Sequence, residues 1–165
     1  MDMDPLARMM CAPAHPRSVP LVREHLREWL EDAGAGDELI DVAVLAASEL
    51  VTNAVQASGS PRMRLGLTAV SDGHGLYLYV DGPGTGPTMA NLEAGGAGPT
   101  ATHGRGLALL RSIGADLACG PAASHFVCTG SECHGPGDLA VAADVRHVVS
   151  CHFSGAASLA LVSDT

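Results

Sequence analysis

AASELVTNAV, residues 46–55, places a carboxylate at Glu49 and a carboxamide at Asn53 one helical turn apart in an otherwise apolar run. Residues four apart on a helix lie one above the other on one side, so the two polar groups stack. The surrounding segment, from Asp37 as cap to about Ala57, has a helical period. Leu39, Val42, Ala43, Ala46, Leu50 and Ala54 share a broad apolar side, and Asp41, Ser48, Thr52 and Gln56 lie opposite. Glu49 and Asn53 fall at the border. A solvated stripe accounts for such a pair, and so does a site. A carboxamide oxygen is a hard ligand for Mg2+, which keeps its waters and is completed by substrate phosphates. A carboxylate one turn earlier can take a proton from an attacking hydroxyl or orient water. Periodicity alone does not choose between the two.

Outward from this helix, SVPLVREHLREWLEDAG (18–34) predicts another: Ser18 as N-cap, Pro20 in the first turn, Leu21, Val22, Leu26, Trp29 and Leu30 along one side, and Gly34 as the stop. Residues 1–16 carry three prolines and no period, which predicts a mobile leader. On the other side, MRLGLTAV (63–70) alternates Met63, Leu65, Leu67 and Ala69 against Arg64, Gly66 and Thr68, the pattern of a strand. SDGHG turns the chain, and LYLYVD (76–81) returns as the second arm of a hairpin. Residues 82–102 are mostly Gly, Pro, Ala and Thr, a connection long enough to be functional or disordered. HGRGLALLRSIG (103–114) predicts a helix entered through glycines, and ADLACG and SHFVCTG two further strands. Beyond Gly130 the pattern fades into Gly, Ala, Ser, Cys and His, with a short helix expected near LAVAADVRHVV. Residues 131–165 therefore read as an extension of unknown role behind a domain of residues 17–130.

Length and composition narrow the function. One hydrophobic core suits 165 residues. With 47% hydrophobic but only 3% aromatic residues, the interior must be Ala, Val and Leu packed between helices and a sheet. The net charge is −9, and all nine basic residues are arginine. Such a surface repels nucleic acid and anionic membranes. Without lysine there is no Walker P-loop and no lysine base, so a phosphorylated ligand must be held by backbone amides, arginine or a metal. No apolar run approaches the ~20 residues that span a bilayer, and the acidic start is not a secretory signal. These features predict a cytoplasmic protein whose five cysteines stay reduced.

Two further motifs can carry chemistry. In HGRGL, glycines ahead of a helix let the backbone approach a ligand, and the unpaired first-turn amides favour phosphate. Arg105 can add a charged fork there. A tight loop is the plainer reading. In VDGPGTGP, Asp81 ends a strand and can accept a hydrogen bond from an exocyclic amine, although Asp-Gly is also an ordinary hairpin exit.

Taken in order, SELVTNAVQAS, VDGPGTGP and HGRGLALL resemble the N box and the two glycine boxes of the GHKL ATP-binding fold. More narrowly, they resemble the small anti-sigma factor serine kinases and histidine-kinase-like regulators of actinobacteria. The resemblance spans about residues 17–128 and implies an α+β, two-layer α/β sandwich of Bergerat type with a mixed, mostly antiparallel sheet. It implies ATP and Mg2+ as cofactors, with Asn53 as metal ligand and Glu49 as catalytic base. It also implies Asp81 as adenine-amine acceptor, Gly84 at the lid hinge, Gly104, Arg105, Gly106 and Leu107 around the phosphates, and residues 85–103 as the lid. Here Asp81 abuts Gly82 where the family usually has one residue between Asp and Gly-Pro-Gly, so the family's Asp position can fall on Val80 instead.

The activity implied is transfer of the γ-phosphoryl group to a Ser or Thr of a STAS-type anti-sigma antagonist, with a sigma factor as a further partner and a homodimer as the assembly. The alternative is a binding module that keeps the fold and acts through protein contacts. A third reading, zinc held by His125, Cys128, Cys133, His134, His147, Cys151 and His152, lacks a paired CxxC.

Overall fold

The computed structural model describes residues 3–58, 62–73, 75–83, 105–112, 114–121 and 146–154. In chain order they form β1 (Leu6–Pro13), α1 (Ser18–Asp32), α2 (Asp37–Ser58), β2 (Arg64–Ser71), β3 (Gly75–Pro83), α3 (Arg105–Ser112), β4 (Asp116–Pro121) and β5 (Arg146–Ser154). The strands make one five-stranded sheet in the order β1-β2-β3-β5-β4, and all four of its described ladders are antiparallel. Helices flank this antiparallel sheet, the arrangement of a Bergerat-type ATP-binding fold. Helix α1 packs beside α2 and on β1; α2 lies over β2 and β3 and meets α3.

Most of the apolar residues predicted for the two long helices enter the core, but Leu21 is 51% exposed and Trp29 and Val42 are half-buried. Val22, Leu26 and Leu30 of α1 and Ala43, Ala46, Ala47 and Val51 of α2 are fully buried. They meet a sheet face made by alternate residues: Leu65, Leu67 and Ala69 of β2, Leu76 and Leu78 of β3, and Cys151 and Phe153 of β5, all without exposed surface. At ~1.5–3 kcal/mol for each large aliphatic side chain removed from water, this layer is the main source of stability. The alanines of α2 let its backbone ride close to the sheet, which is how so few aromatic residues suffice.

Helix ends follow local chemistry. Gly34 stops α1 in the left-handed region, φ 78°, where Gly34 N–H donates to Glu31 O at 3.0 Å and Ala35 N–H to Leu30 O at 2.9 Å. The same pair of bonds closes α3: Gly114, φ 88°, donates to Arg111 O and Ala115 to Leu110 O, both at 3.0 Å. These are Schellman closures, which need a residue at positive φ. At the start of α1 the expectation of a Ser18 cap does not hold. Ser18 is the first helical residue, buried, and Arg17 is the N-cap without a side-chain bond. His15 acts instead: its Nδ1 accepts from Arg17 N–H at 3.0 Å and its carbonyl from Ser18 N–H at 2.9 Å.

Two expectations are corrected. The leader expected to be mobile contains strand β1, paired along its whole length with β2 from Leu6↔Ser71 to Pro13↔Arg64. Leu6 and Ala12 are buried, but Arg8 and half-buried Met10 occupy the positions between them, so alternation is faint. Its proline falls at the end of an edge strand, where no ladder donor is needed. The supposed C-terminal extension likewise contains β5, which sits between β3 and β4 inside the sheet. Residues 146–149, expected as helix, are strand; His147, Val149, Cys151 and Phe153 alternate onto the helix side. The remainder of the expected helix and the expected strand SHFVCTG lie outside the described residues.

Candidate functional site

Helix α2 carries Glu49 and Asn53, both half-buried, at the edge of its buried side. No hydrogen bond or ion pair engages either side chain among the described residues, whereas neighbouring Ser48 donates back to Val44 O at 2.9 Å. The carboxylate and the carboxamide are thus available to a ligand. Leu50, Val51 and Ala54 between and beside them are buried, which fixes the roll of the helix and holds the polar pair at its border.

Strand β3 brings its glycine end to this part of α2. A Cβ placed on Gly82 would stand 3.4 Å from the Ala54 methyl group and 3.4 Å from His147 Cε1. Gly82 therefore faces α2 one residue from Asn53. Regular pairing through β3 keeps the alternation unbroken, so Leu76, Leu78 and Val80 face α2 with Gly82, and Asp81 points to the opposite face. There it is flanked across the ladders by Gly66 and Val148 and is only 2% exposed. Val80 occupies the helix-facing position with 1% exposure.

Helix α3 begins at Arg105 and packs against α2, with Leu110 fully buried. The start of the helix expected to meet phosphate therefore belongs to the layer that carries Asn53. The side chains of Arg105, Gly106 and Leu107, together with Gly84, Gly104 and residues 85–103, lie outside the described residues.

His147 enters the sequence reading only as a candidate zinc ligand, not as a neighbour of the glycine end of β3. It opens the buried row of β5, directly opposite Gly82 in the ladder and 3% exposed. The signal was the alternation of RHVVSCHFS, obscured because its first inward residue is polar.

Thiol chemistry does not belong to this site. Burial first, and the Asp116 charge second, push the Cys151 thiol up to about 12, so it stays protonated and unreactive. Burial also raises Cys119. Neither is in a disulfide, as expected of reduced thiols, whereas Cys11 is disulfide-bonded, a departure from that expectation. Among the described residues no group of three His, Cys, Asp or Glu side chains can hold a metal ion. Cys151 and His152 fall on opposite faces of β5, so strand geometry separates two of the supposed zinc ligands.

The fold and the polar pair on α2 coincide with a family assignment. Residues 12–124 match the histidine kinase-like ATPase domain, more than half of the chain, and the protein belongs to that family. Strand β5 lies beyond the matched stretch but inside the same sheet. No curated protein matches the chain. Among solved structures it is similar to the RsbU and RsbW domains of Rv1364c from Mycobacterium tuberculosis, at 19% identity and a TM-score of 0.47, over 91% of this chain and 32% of that one. The chain thus spans about a third of that protein's chain. No described helix is long and apolar enough to cross a membrane.

Proposed function

We propose that this domain binds Mg·ATP between α2 and the start of α3 and phosphorylates a Ser or Thr of a STAS-type anti-sigma antagonist, with a sigma factor as a second partner. The observation that carries the reading is the Glu49–Asn53 stack on α2, free of internal partners among the described residues and adjoining the glycine end of β3, in a chain of the histidine kinase-like ATPase family. The donor set fits the group: an amide oxygen suits a hard divalent cation, and the first-turn amides of a helix packed on α2 suit phosphate.

When bound, Mg·ATP supplies an activated γ-phosphoryl group whose charge the metal spreads. Asn53 would hold the cation through its carboxamide oxygen. Glu49 accepts the proton of the attacking hydroxyl as the new O–P bond forms and the β–γ bridge breaks to release ADP. The family resemblance would give Gly84 the lid hinge and Gly104, Arg105, Gly106 and Leu107 the phosphates, all of them outside the described side chains. The reaction places the protein in the cytoplasm, where ATP is abundant.

Asp81 on the far face favours a second reading, a module that keeps the fold without using nucleotide. Calorimetry and a radiolabel assay separate the two. The kinase reading predicts heat on titrating Mg·ATP and label on the partner. It also predicts that Glu49→Ala binds ATP within about twofold of the wild type but loses transfer at least ~100-fold. Unchanged transfer removes Glu49 from the base role, and no heat up to millimolar nucleotide leaves the module.

A further inference from the structure

Helix α1 carries its charges against its own dipole. Its N-cap is Arg17, no acidic residue occupies the first turn and no basic one the last, where Glu31 and Asp32 stand instead. A helix favours carboxylates at its start and cations at its end, so both ends of α1 are unfavourable in a lone domain. Arg17 and Asp32 are exposed, and neither has an ion pair among the described residues.

The residues between them form a ridge. Arg17, Leu21, His25 and Trp29 follow one another four apart, and Glu28 and Asp32 complete the stripe at spacings of three and four. Leu21 is 51% exposed, the His25 side chain 49% and that of Glu28 60%. Trp29, the single tryptophan, is half-buried, with the His25 ring stacked on it at 6.4 Å between centroids. The opposite flank of α1 turns to α2, where Arg27 meets Asp41 at 3.5 Å. The ridge thus lies on the side away from α2, and β1, on which α1 packs, is an edge strand.

About His25 as centre, the stripe is complementary to itself. Leu21 and Trp29 stand four residues to either side, and Arg17 and Asp32 eight and seven, or ~12 and ~10.5 Å along the axis. A second α1 turned end for end sets Leu21 against Trp29 and Arg17 against Asp32, twice over. The two dipoles then run antiparallel, and each misplaced charge faces an opposite one. We propose that a second copy of this chain docks on the α1 ridge, in a two-fold antiparallel helix pair centred on His25. Leu21 and Trp29 supply the apolar anchors, and Arg17 with Asp32 sets the register. The inference draws on α1 alone and is independent of the nucleotide reading.

Sedimentation equilibrium of the full chain without nucleotide tests it. The wild type should dimerise, and every substitution counts twice in a two-fold interface. Leu21→Asp and Arg17→Glu, both at exposed positions, should each raise the dissociation constant at least ~10-fold. Arg17→Glu improves the match to the α1 dipole, so a weaker dimer there does not come from a weaker helix. Combined with Asp32→Arg, which exchanges the charges, it should return to within about threefold of the wild type. Emission from Trp29 should move to longer wavelength as the wild type is diluted and stay fixed in Leu21→Asp. A wild type that remains monomeric at millimolar concentration leaves the ridge to a different protein and overturns the inference. So does a dimer indifferent to Leu21→Asp or Arg17→Glu, or a charge exchange that fails to restore it.

Discussion

The two faces of the sheet behave as different materials. On the helix side, Leu65, Leu67, Leu76, Leu78, Cys151 and Phe153 have no exposed surface. On the other side, Met9 is 39%, Val70 38% and Tyr77 41% exposed. That face is held by aromatic contacts: Tyr77 stacks on His152 with ring centroids 3.9 Å apart and lies 6.2 Å from Tyr79, and His152 Nδ1 stands 3.9 Å from Asp116. Burial, with Tyr77 as the lesser cause, raises the Tyr79 hydroxyl above its usual range. The difference teaches that a one-residue change of parity decides which side of the sheet a side chain joins. Val80 and Asp81, both buried, fall on opposite sides by that rule alone.

The contrast predicts unequal costs. Phe153→Ala empties the covered face beneath β5 and should destabilise by ~3–5 kcal/mol in urea denaturation; a loss below ~1 kcal/mol would mean that β5 is not part of the core. Cys151 tests the same face by pH. Its thiol titrates at 9.0 when unfolded and about 12 when folded, so between these values the unfolded chain has lost a proton that the folded one keeps. Stability should be unaffected below pH 9.0 and fall as pH rises toward about 12, by at most ~1.4 kcal/mol per pH unit. Cys151→Ala, less stable at neutral pH, should lack this component of the fall; an identical alkaline profile would contradict the burial. Tyr77→Ala on the open face breaks a cross-strand stack and should cost only ~0.5–1 kcal/mol, and a larger loss would show that face to be structural.

Helices α1 and α2 and the β2–β3 hairpin were legible because each has a single uninterrupted period, 3.6 or 2, bounded by Gly34, Asp37 and the SDGHG turn. Strands β1 and β5 were not. Arg8 occupies an alternate position in β1, and His147 and Cys151 do so in β5, so their inward rows do not read as hydrophobic. In β5 the long-range pairing with β3 and β4, which no local pattern announces, overrides the weak helical signal. At the site, Glu49 and Asn53 were visible from their four-residue spacing. The direction of Asp81 was not, because it depends on strand register, and the compressed Asp-Gly spacing was the sole warning. His147, read in the sequence only as part of a His/Cys cluster, gains its place beside Gly82 from the ladder.

The central claim is that Asn53 holds the cation of a nucleotide lying between α2 and the start of α3. A crystal structure of the protein with Mg2+ and a non-hydrolysable ATP analogue tests it most directly. The account predicts Mg2+ ~2.0–2.1 Å from the Asn53 carboxamide oxygen, with the phosphates against the first turn of α3. A nucleotide bound on the open face of the sheet, or a cation with Asn53 turned away from it, would contradict it.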